Sequence, residues 1–533
     1  MFVSAAAAED LPGFSKFVLR FLIQMSRDFS TRSLKMSEES PGVRPKAQLR
    51  EERMDDGEGD NDDVGNDLEA YQMRRTWESS PHPYLFFNSD RFTFTFLGFF
   101  IDRASGNLID QQTRTVLENG IMAQNLYDSL VRNHAPIQEN FDALPRDQKI
   151  MKLCNVMGIE FPHDPDDTYE LTTDNVKKIM AIYMRFRCDI PVIIMGETGC
   201  GKTRLVKFMC SLQQPPGVDM TNMILMKVHG GTTNKDIIKK VRDAEQIAKR
   251  NKENYGNHVY TVLFFDEANT TEAIGLIKEI MCDKSMEGKK LKLCENLKMV
   301  AACNPYRTHS EELIKKLEQA GLGYHVDADE TTDRLGRVPM RRLVYRVQPL
   351  PQSLLPLVWD FGQLNTQVED LYIRQMVRRY IREDKLPSIG GLIEVVSAIL
   401  TSSQDYMREQ KDECSFVSLR DVDRVLTVMS WFYQQSQGER TLYDLMDEKL
   451  YGEEEFTSED DDDEEEEENE QMIRDDEGGD KVDDITRSLI LALGVCYHAC
   501  LKTRPQYRAH IAPRFRAPCH LPGGADQIQE EIE

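Results

Sequence analysis

Gly196, Glu197, Thr198, Gly199, Cys200, Gly201, Lys202 and Thr203 form a GxxxxGK[ST] run suited to holding phosphate oxygens. Its glycines let backbone N–H groups turn inward around an anion, and a helix opening at Lys202 would add its partial positive charge. Lys202 is expected to reach the β- and γ-phosphates of a nucleoside triphosphate, with the Thr203 hydroxyl on Mg2+. A chance match in a glycine-rich turn is the alternative. An apolar run (PVIIM, 191–195) before the loop and a helical pattern after it supply the context that the motif requires.

Holding a nucleotide is not turning it over. In VLFFDE four apolar residues run into Asp266 and Glu267, so a buried strand would end in two adjacent carboxylates. Asp266 would hold Mg2+ and Glu267 would polarise an attacking water, the pair that ATP hydrolysis needs. A solvated acidic turn after a strand is the plainer reading, and it loses ground beside the glycine loop. In VAACNP the next strand would present Asn304, a neutral amide able to orient water, unless this is only an Asn-Pro turn. Arg334, Arg337, Arg341 and Arg342 cluster beyond it, either as surface arginines or as a source of one arginine finger for a neighbouring site. Ser418 reads as a helix N-cap with Arg420 on the first turn. Arg420 could close over a γ-phosphate; pairing of Arg420 with Asp423, or of Arg424 with Asp421, would instead be intrahelical.

These groups can meet only if a sheet brings strand ends together. PVIIM (191–195), MILMKVHG (223–230), VYTVLFFDE (259–267), LKMVAACNP (297–305) and RRLVYRVQPL (341–350) read as strands, with helical stretches such as 234–250 between them. Apolar strands alternating with helices predict an α/β fold, a mostly parallel sheet covered on both faces. Earlier, FVLRFLIQM (17–25) reads as helix and RFTFTFLGFFI (91–101) as strand or hairpin. The expected organisation is a mostly disordered segment over 1–80, a mixed region over 81–170 and a nucleotide-binding α/β unit over 171–350. A helical lid over 351–445, an acidic linker over 446–483 and the helical start of a following module over 484–533 complete it.

The net charge of −25 is local. Residues 453–484 hold 20 acids and 2 bases, and residues 51–69 hold 10 acids and one base; the rest is near neutral. Such blocks read as solvated spacers, or less readily as surfaces for basic partners. No basic stripe interleaved with aromatics favours nucleic-acid binding, which lowers a nucleic-acid remodeller in the order of readings. Eleven scattered cysteines, no signal-peptide pattern and no run of about 18 apolar residues point to a reduced, cytosolic chain without a membrane span. Cys496 and Cys500, one turn apart around His498, read as small core residues rather than half of a metal site.

Together these residues resemble the AAA+ ATPases, with Walker A at 196–203, Walker B at 262–267, Asn304 as sensor 1 and Arg420 as a sensor-2-like lid arginine. The words VIIMGETGCGKTRL, MKVHGGTT, LFFDEANTTEAI, AACNPYR, AGLGY, ADETTDRLG, LVWDFGQL, ECSFVSLRDV and GVCYHA narrow this. They resemble one AAA+ module of the mysterin-type giant RING ubiquitin ligases, whose core is dynein-like, from about 82 to about 510. The resemblance implies a P-loop sheet with a helical lid, ATP and Mg2+ as cofactors and adjacent AAA+ modules as partners. It favours Arg334 and Arg341 as finger candidates and carries association with ubiquitin machinery and lipid droplets only by family. The sequence departs from the family in three ways: it has no second GxxxxGK[ST], no RING-like Cys/His series, and an unfamiliar ten-acid run at 459–468 and tail. A fragment of a larger protein is therefore expected, one that binds Mg-ATP but turns it over slowly without a neighbour's finger. A scaffold gated by ATP binding rather than turnover is the alternative function.

Overall fold

The computed structural model describes residues 12–30, 77, 81–306 (except 92 and 112), 314, 334–335, 338–339, 343–410 (except 363 and 365), 417–437, 441, 443 and 483–520. It divides into two compact units, 1–363 and 364–533. The acidic runs, Arg337, Arg341 and Arg342 lie outside the described residues.

The first unit opens with α1 (Phe14–Ser30), the expected helix extended at both ends. RFTFTFLGFFI is split between two small antiparallel sheets: Phe94–Leu97 pairs with Tyr84–Phe87, and Phe99–Ile101 pairs with Leu108–Asp110. Gly98 makes the break with φ +82°, and a Cβ there would sit 2.0 Å from Lys177 Cε of α2 (Thr173–Arg187). That left-handed backbone favours glycine, and any Cβ would also have to push the end of the Lys177 side chain aside.

The central sheet has five strands, all parallel: β1 (Val192–Met195), β2 (Met223–Lys227), β3 (Thr261–Asp266), β4 (Leu297–Cys303) and β5 (Val358–Asp360), in the order β5-β1-β4-β3-β2. Alternate residues feed two separate cores. Val192, Ile194, Val262, Phe264, Val300 and Ala302 face a cluster with α2 and α3 (Lys202–Leu212). Ile193, Met195, Leu263, Phe265, Ala301 and Cys303 face another with α4 (Asn234–Tyr255) and the segment 274–283. A sheet buried on both faces needs continuous apolar strands, which is why these runs do not alternate with polar residues. α4 is started by a capping box in which Thr233 and Asp236 satisfy each other's backbone N–H.

The fifth strand is a correction. It was expected at 341–350, but 344–350 is irregular and the strand is the three-residue Val358–Asp360, paired with β1. Pro349 and Pro351 interrupt the donor row, and the N–H groups of Gln348 and Leu350 are taken by Asn269 O and Tyr306 Oη.

The second unit packs α5 (Thr366–Arg382), α6 (Leu392–Glu409), α7 (Leu419–Gln435), α8 (Asp484–Cys496) and α9 (Arg504–Ile511) around one core. α8, read from the sequence as the opening of a following module, buries Leu489 and Leu493 in the same core as Val425, Leu426 and Met429 of α7. Buried Glu369 accepts both Nη1 and Nη2 of Arg408 at 2.6 Å, a bidentate pair joining α5 to α6. Cys496 is half-buried and Cys500 exposed, not the core pair expected, because the α-helix ends at Cys496 and a 3-10 turn follows. No helix among the described residues is long and apolar enough to cross a membrane. No described group of three or more His, Cys, Asp or Glu side chains is placed to hold a metal ion by itself.

Candidate active site

Parallel pairing aligns the strand ends. Met195 sits beside Cys303 on one side and Asp360 on the other, while Phe265 pairs with Ala301. The residues just past these positions therefore gather at one edge of the sheet, where parallel α/β sheets keep their ligand sites.

The loop 196–201 leaves β1 there and enters α3 at Lys202. Gly199 and Gly201 both adopt φ +84°. At Gly196 a Cβ would lie 3.0 Å from Gly362 O and 2.9 Å from Cys200 Sγ, so the loop is threaded tightly past β5. Glu197 N donates to Gly362 O at 3.1 Å, and Gly362 N donates to Asp360 Oδ1 at 2.9 Å. Lys202 is buried, and its ammonium folds back on the loop, donating to Gly196 O and, at 3.0 Å, to Glu197 O. Behind it, Arg204 of α3 donates to Asp166 Oδ2 at 3.2 Å, fastening the helix start to the preceding segment.

Thr203 Oγ1 donates to Asp266 Oδ2 at 3.3 Å. The two side chains assigned from sequence to one Mg2+ are thus in direct contact, although 63 residues separate them. A hydroxyl and a carboxylate, both oxygen donors, leave room for the waters and phosphates that this small hard cation prefers, so the donor set fits it. Glu267 follows, exposed, in a left-handed conformation (φ 56°, ψ 39°) uncommon for a non-glycine residue. Its carbonyl accepts from Thr270 N at 3.0 Å and Thr270 Oγ1 at 2.8 Å, which hold the turn.

Asn304 lies buried past the end of β4. Its backbone is clamped by Asn269: Asn304 N donates to Asn269 Oδ1 at 3.0 Å, and Asn269 Nδ2 donates to Asn304 O at 2.9 Å. The sequence reading passed over Asn269, whose signal was an amide three residues beyond Asp266, in DEAN. Replacing Asn269 by alanine leaves both buried backbone groups unpaired and is expected to cost about 1–3 kcal/mol of stability. Urea denaturation of the Asn269→Ala chain beside wild type measures it.

Two further residues were missed. Tyr345 Oη donates to Glu197 Oε2 at 2.7 Å and lies 3.3 Å from Thr198 Oγ1. Burial raises its phenol above the ordinary range, and the Glu197 charge adds to that rise. Asp360, at the end of β5, has its carboxyl raised by burial; the Gly362 N–H opposes this and the Glu197 charge reinforces it. Burial likewise pushes the Cys303 thiol up to about 12, against the pull of nearby Lys202.

The arginines are less gathered. Arg334 begins a short hairpin in which Arg334–Leu335 pairs with Val338–Pro339. Arg420 belongs to the second unit, exposed on the first turn of α7, where Ser418 caps the helix. Asp421 takes Arg424 at 3.3 Å, as the intrahelical alternative held, while Asp423 accepts from Arg379 at 2.7 Å rather than from Arg420.

Residues 169–307, which include the phosphate loop, Asp266, Glu267 and Asn304, match the family described as the RNF213 AAA domain. The chain is 46% identical over 518 residues to the E3 ubiquitin-protein ligase RNF213 of Mus musculus, covering 97% of the chain and 9% of that relative. It is equally 46% identical to rnf213-beta of Danio rerio over 514 residues and to RNF213 of Homo sapiens over 515, covering 95% and 96% of the chain. The chain thus spans about 9% of the length of each of these relatives. The chain belongs to the RNF213 family, the mysterin-type ligases that its sequence resembles, and carries at 169–307 that family's AAA domain.

Proposed function

We propose that this AAA domain binds ATP with Mg2+ and hydrolyses it, as one element of a larger E3 ubiquitin-protein ligase. The contact between Thr203 and Asp266 beside the glycine loop carries the reading. Thr203 and Asp266 would hold the metal, which when bound neutralises phosphate charge. The loop N–H groups of 196–201 and Lys202 would take the phosphates. Glu267, exposed at the same sheet edge, would orient and polarise water, and Asn304, fixed by Asn269, would stand at the neighbouring tip. Arg334, Arg341 and Arg420 are assigned to the charge that develops in the reaction, the first two toward an adjacent AAA+ module. Ubiquitin transfer, which the relatives' names state, is assigned to parts of those longer proteins that this chain does not match. A cytosolic setting is part of the same proposal.

The test is a titration of the purified chain with fluorescent ATP, with Mg2+ and then with EDTA. Saturable binding that weakens at least about tenfold on chelation is expected, since the metal bridges protein oxygens and phosphates. Binding indifferent to EDTA would remove Thr203 and Asp266 from the metal site. No binding at all would end the nucleotide reading.

A further inference from the structure

Two stretches enter the central sheet side by side, into the paired strands β1 and β4. α2 ends at Arg187, and Cys188, Asp189 and Ile190 turn the chain before Pro191 leads into β1. Asp189 takes a left-handed conformation (φ 54°), which aspartate tolerates better than most residues, and Ile190 N donates back to Arg185 O at 2.9 Å. The other stretch, 291–296, leads into β4 from a hairpin in which Ser285–Met286 pairs with Lys289–Lys290. Between the two lies a cavity of about 530 Å³. It sits at the starts of β1 and β4, whereas the phosphate loop and Asn304 follow the ends of those strands.

The wall of this cavity is apolar and anchored. Phe186 belongs to one core of the sheet, Met281, Leu297 and Met299 to the other, and Ile190 and Leu293 complete the lining. Its charged groups are Lys284, Lys292 and Lys298 with Asp189 and Glu295. Lys298, second in β4, is a buried lysine with its side chain 9% exposed. Its ammonium donates to Asp189 Oδ1 at 3.1 Å and lies 5.4 Å from the centre of the Tyr260 ring. Lys284 donates to the other oxygen, Asp189 Oδ2, at 3.3 Å. Burial works against the Asp189 charge, but these two ammoniums hold its carboxyl below the ordinary range. Glu295 is engaged by Lys252, at 3.3 Å, which is not part of the lining. Three lysines therefore face the cavity around the single carboxylate of Asp189, with Lys292 exposed beside them.

We propose that this cavity is a binding site for a small organic anion, an apolar body of aromatic size carrying one carboxylate or similar head. The volume lies within the ~300–1,000 Å³ of sites that take small ligands, which are mostly apolar with a few placed polar groups. The body would lie on Phe186, Met281, Leu293 and Met299, and the head would join Asp189 among the three lysines. Charge selects the sign of that head. A neutral or cationic ligand would desolvate Lys298 and Lys284 further and bring no charge to match them, whereas an anion brings it. The inference does not rest on the ATP reading, since the phosphate loop lies past the other end of the same strands.

The experiment titrates the full chain with 1-naphthoate, 1-naphthylmethanol and 1-naphthylmethylamine, which share one ring system and differ in the charge of the head. Calorimetry at low salt should show saturable naphthoate binding, about fivefold tighter than the alcohol, with the amine weakest and the gap closing as salt is added. Naphthoate should slow hydrogen exchange of wild-type amides at 188–193 and 291–299. Lys292→Glu should bring naphthoate and the alcohol within about twofold of each other. Leu293→Trp, which fills the cavity, should remove binding of all three. Equal affinity for the three probes would overturn the anion assignment. Naphthoate that does not saturate, or that protects only amides elsewhere in the chain, would overturn the site itself. The exchange is read in wild type, so this outcome stands even if Leu293→Trp does not fold.

Discussion

Replacing Lys202 by alanine is expected to weaken Mg-ATP binding by about 30-fold to several thousand-fold, the 2–5 kcal/mol lost when one member of a buried, hydrogen-bonded charge pair is truncated. The range follows from where the ammonium sits. Lys202 is buried at the start of α3, and its protons are spent on Gly196 O and Glu197 O, two neutral acceptors. Charge-assisted bonds to phosphate oxygens are roughly twice as strong as such bonds to neutral groups, so exchanging one for the other is favourable. The fold should tolerate the change, because alanine removes a buried cation that has no carboxylate bonded to it among the described residues. Lys202→Arg should fall between, keeping the charge but putting a rigid planar fork where a compact point charge fits. Calorimetric titration of the three chains, with melting curves as the folding control, decides it. An affinity for Lys202→Ala within about threefold of wild type would take the phosphates away from this loop.

Much of the site was legible because its parts announce themselves locally. Gly199 and Gly201 need left-handed backbone, and VIIM before them and VLFFD later are apolar without alternation, so strand, loop and helix could be placed from the residues alone. The Thr203–Asp266 contact follows from the same pattern, since parallel strands end on one side of the sheet, where β3 delivers Asp266 and the loop after β1 delivers Thr203 at the start of α3. What escaped is what depends on cross-chain bonding. RRLVYRVQPL has the composition of a strand, yet Asn269 and Tyr306 take its backbone groups and turn it into a strap. VWD is too short for periodicity to show; its pairing with β1 makes it a strand. Asn269 and Tyr345 act through partners 35 and 148 residues away, distances at which single-sequence patterns carry no signal. For α8 the sequence reading named a helix, but which core covers it is a tertiary fact, and Leu489 and Leu493 join the core of α7.

Changing Glu267 to glutamine should slow ATP hydrolysis by about 10²–10⁴-fold, the range for losing a positioned general base, while ATP affinity stays within about threefold. The amide keeps the size and reach of the carboxylate but cannot take a proton. The backbone that aims it is retained, because the left-handed turn at Glu267 is held through its carbonyl by Thr270 and not through its side chain. Asp266, one residue earlier, keeps its contact with Thr203, so metal and nucleotide binding should survive. Rate and affinity therefore separate in this variant, whereas in Lys202→Ala they fall together. Single-turnover measurement with radiolabelled ATP is the suitable readout, since a chain that needs a neighbour's arginine, as proposed, would start from a slow rate. The expected picture is intact ATP retained on the Glu267→Gln chain long after wild type has converted its own to ADP. Conversion at the wild-type rate would leave Glu267 as an exposed acid in a turn and return the site to a nucleotide-binding scaffold. If conversion stops, the trapped chain distinguishes the two remaining roles. Partner recruitment by the full-length protein that continues unchanged in this variant needs only occupancy, and recruitment that fails needs the cycle.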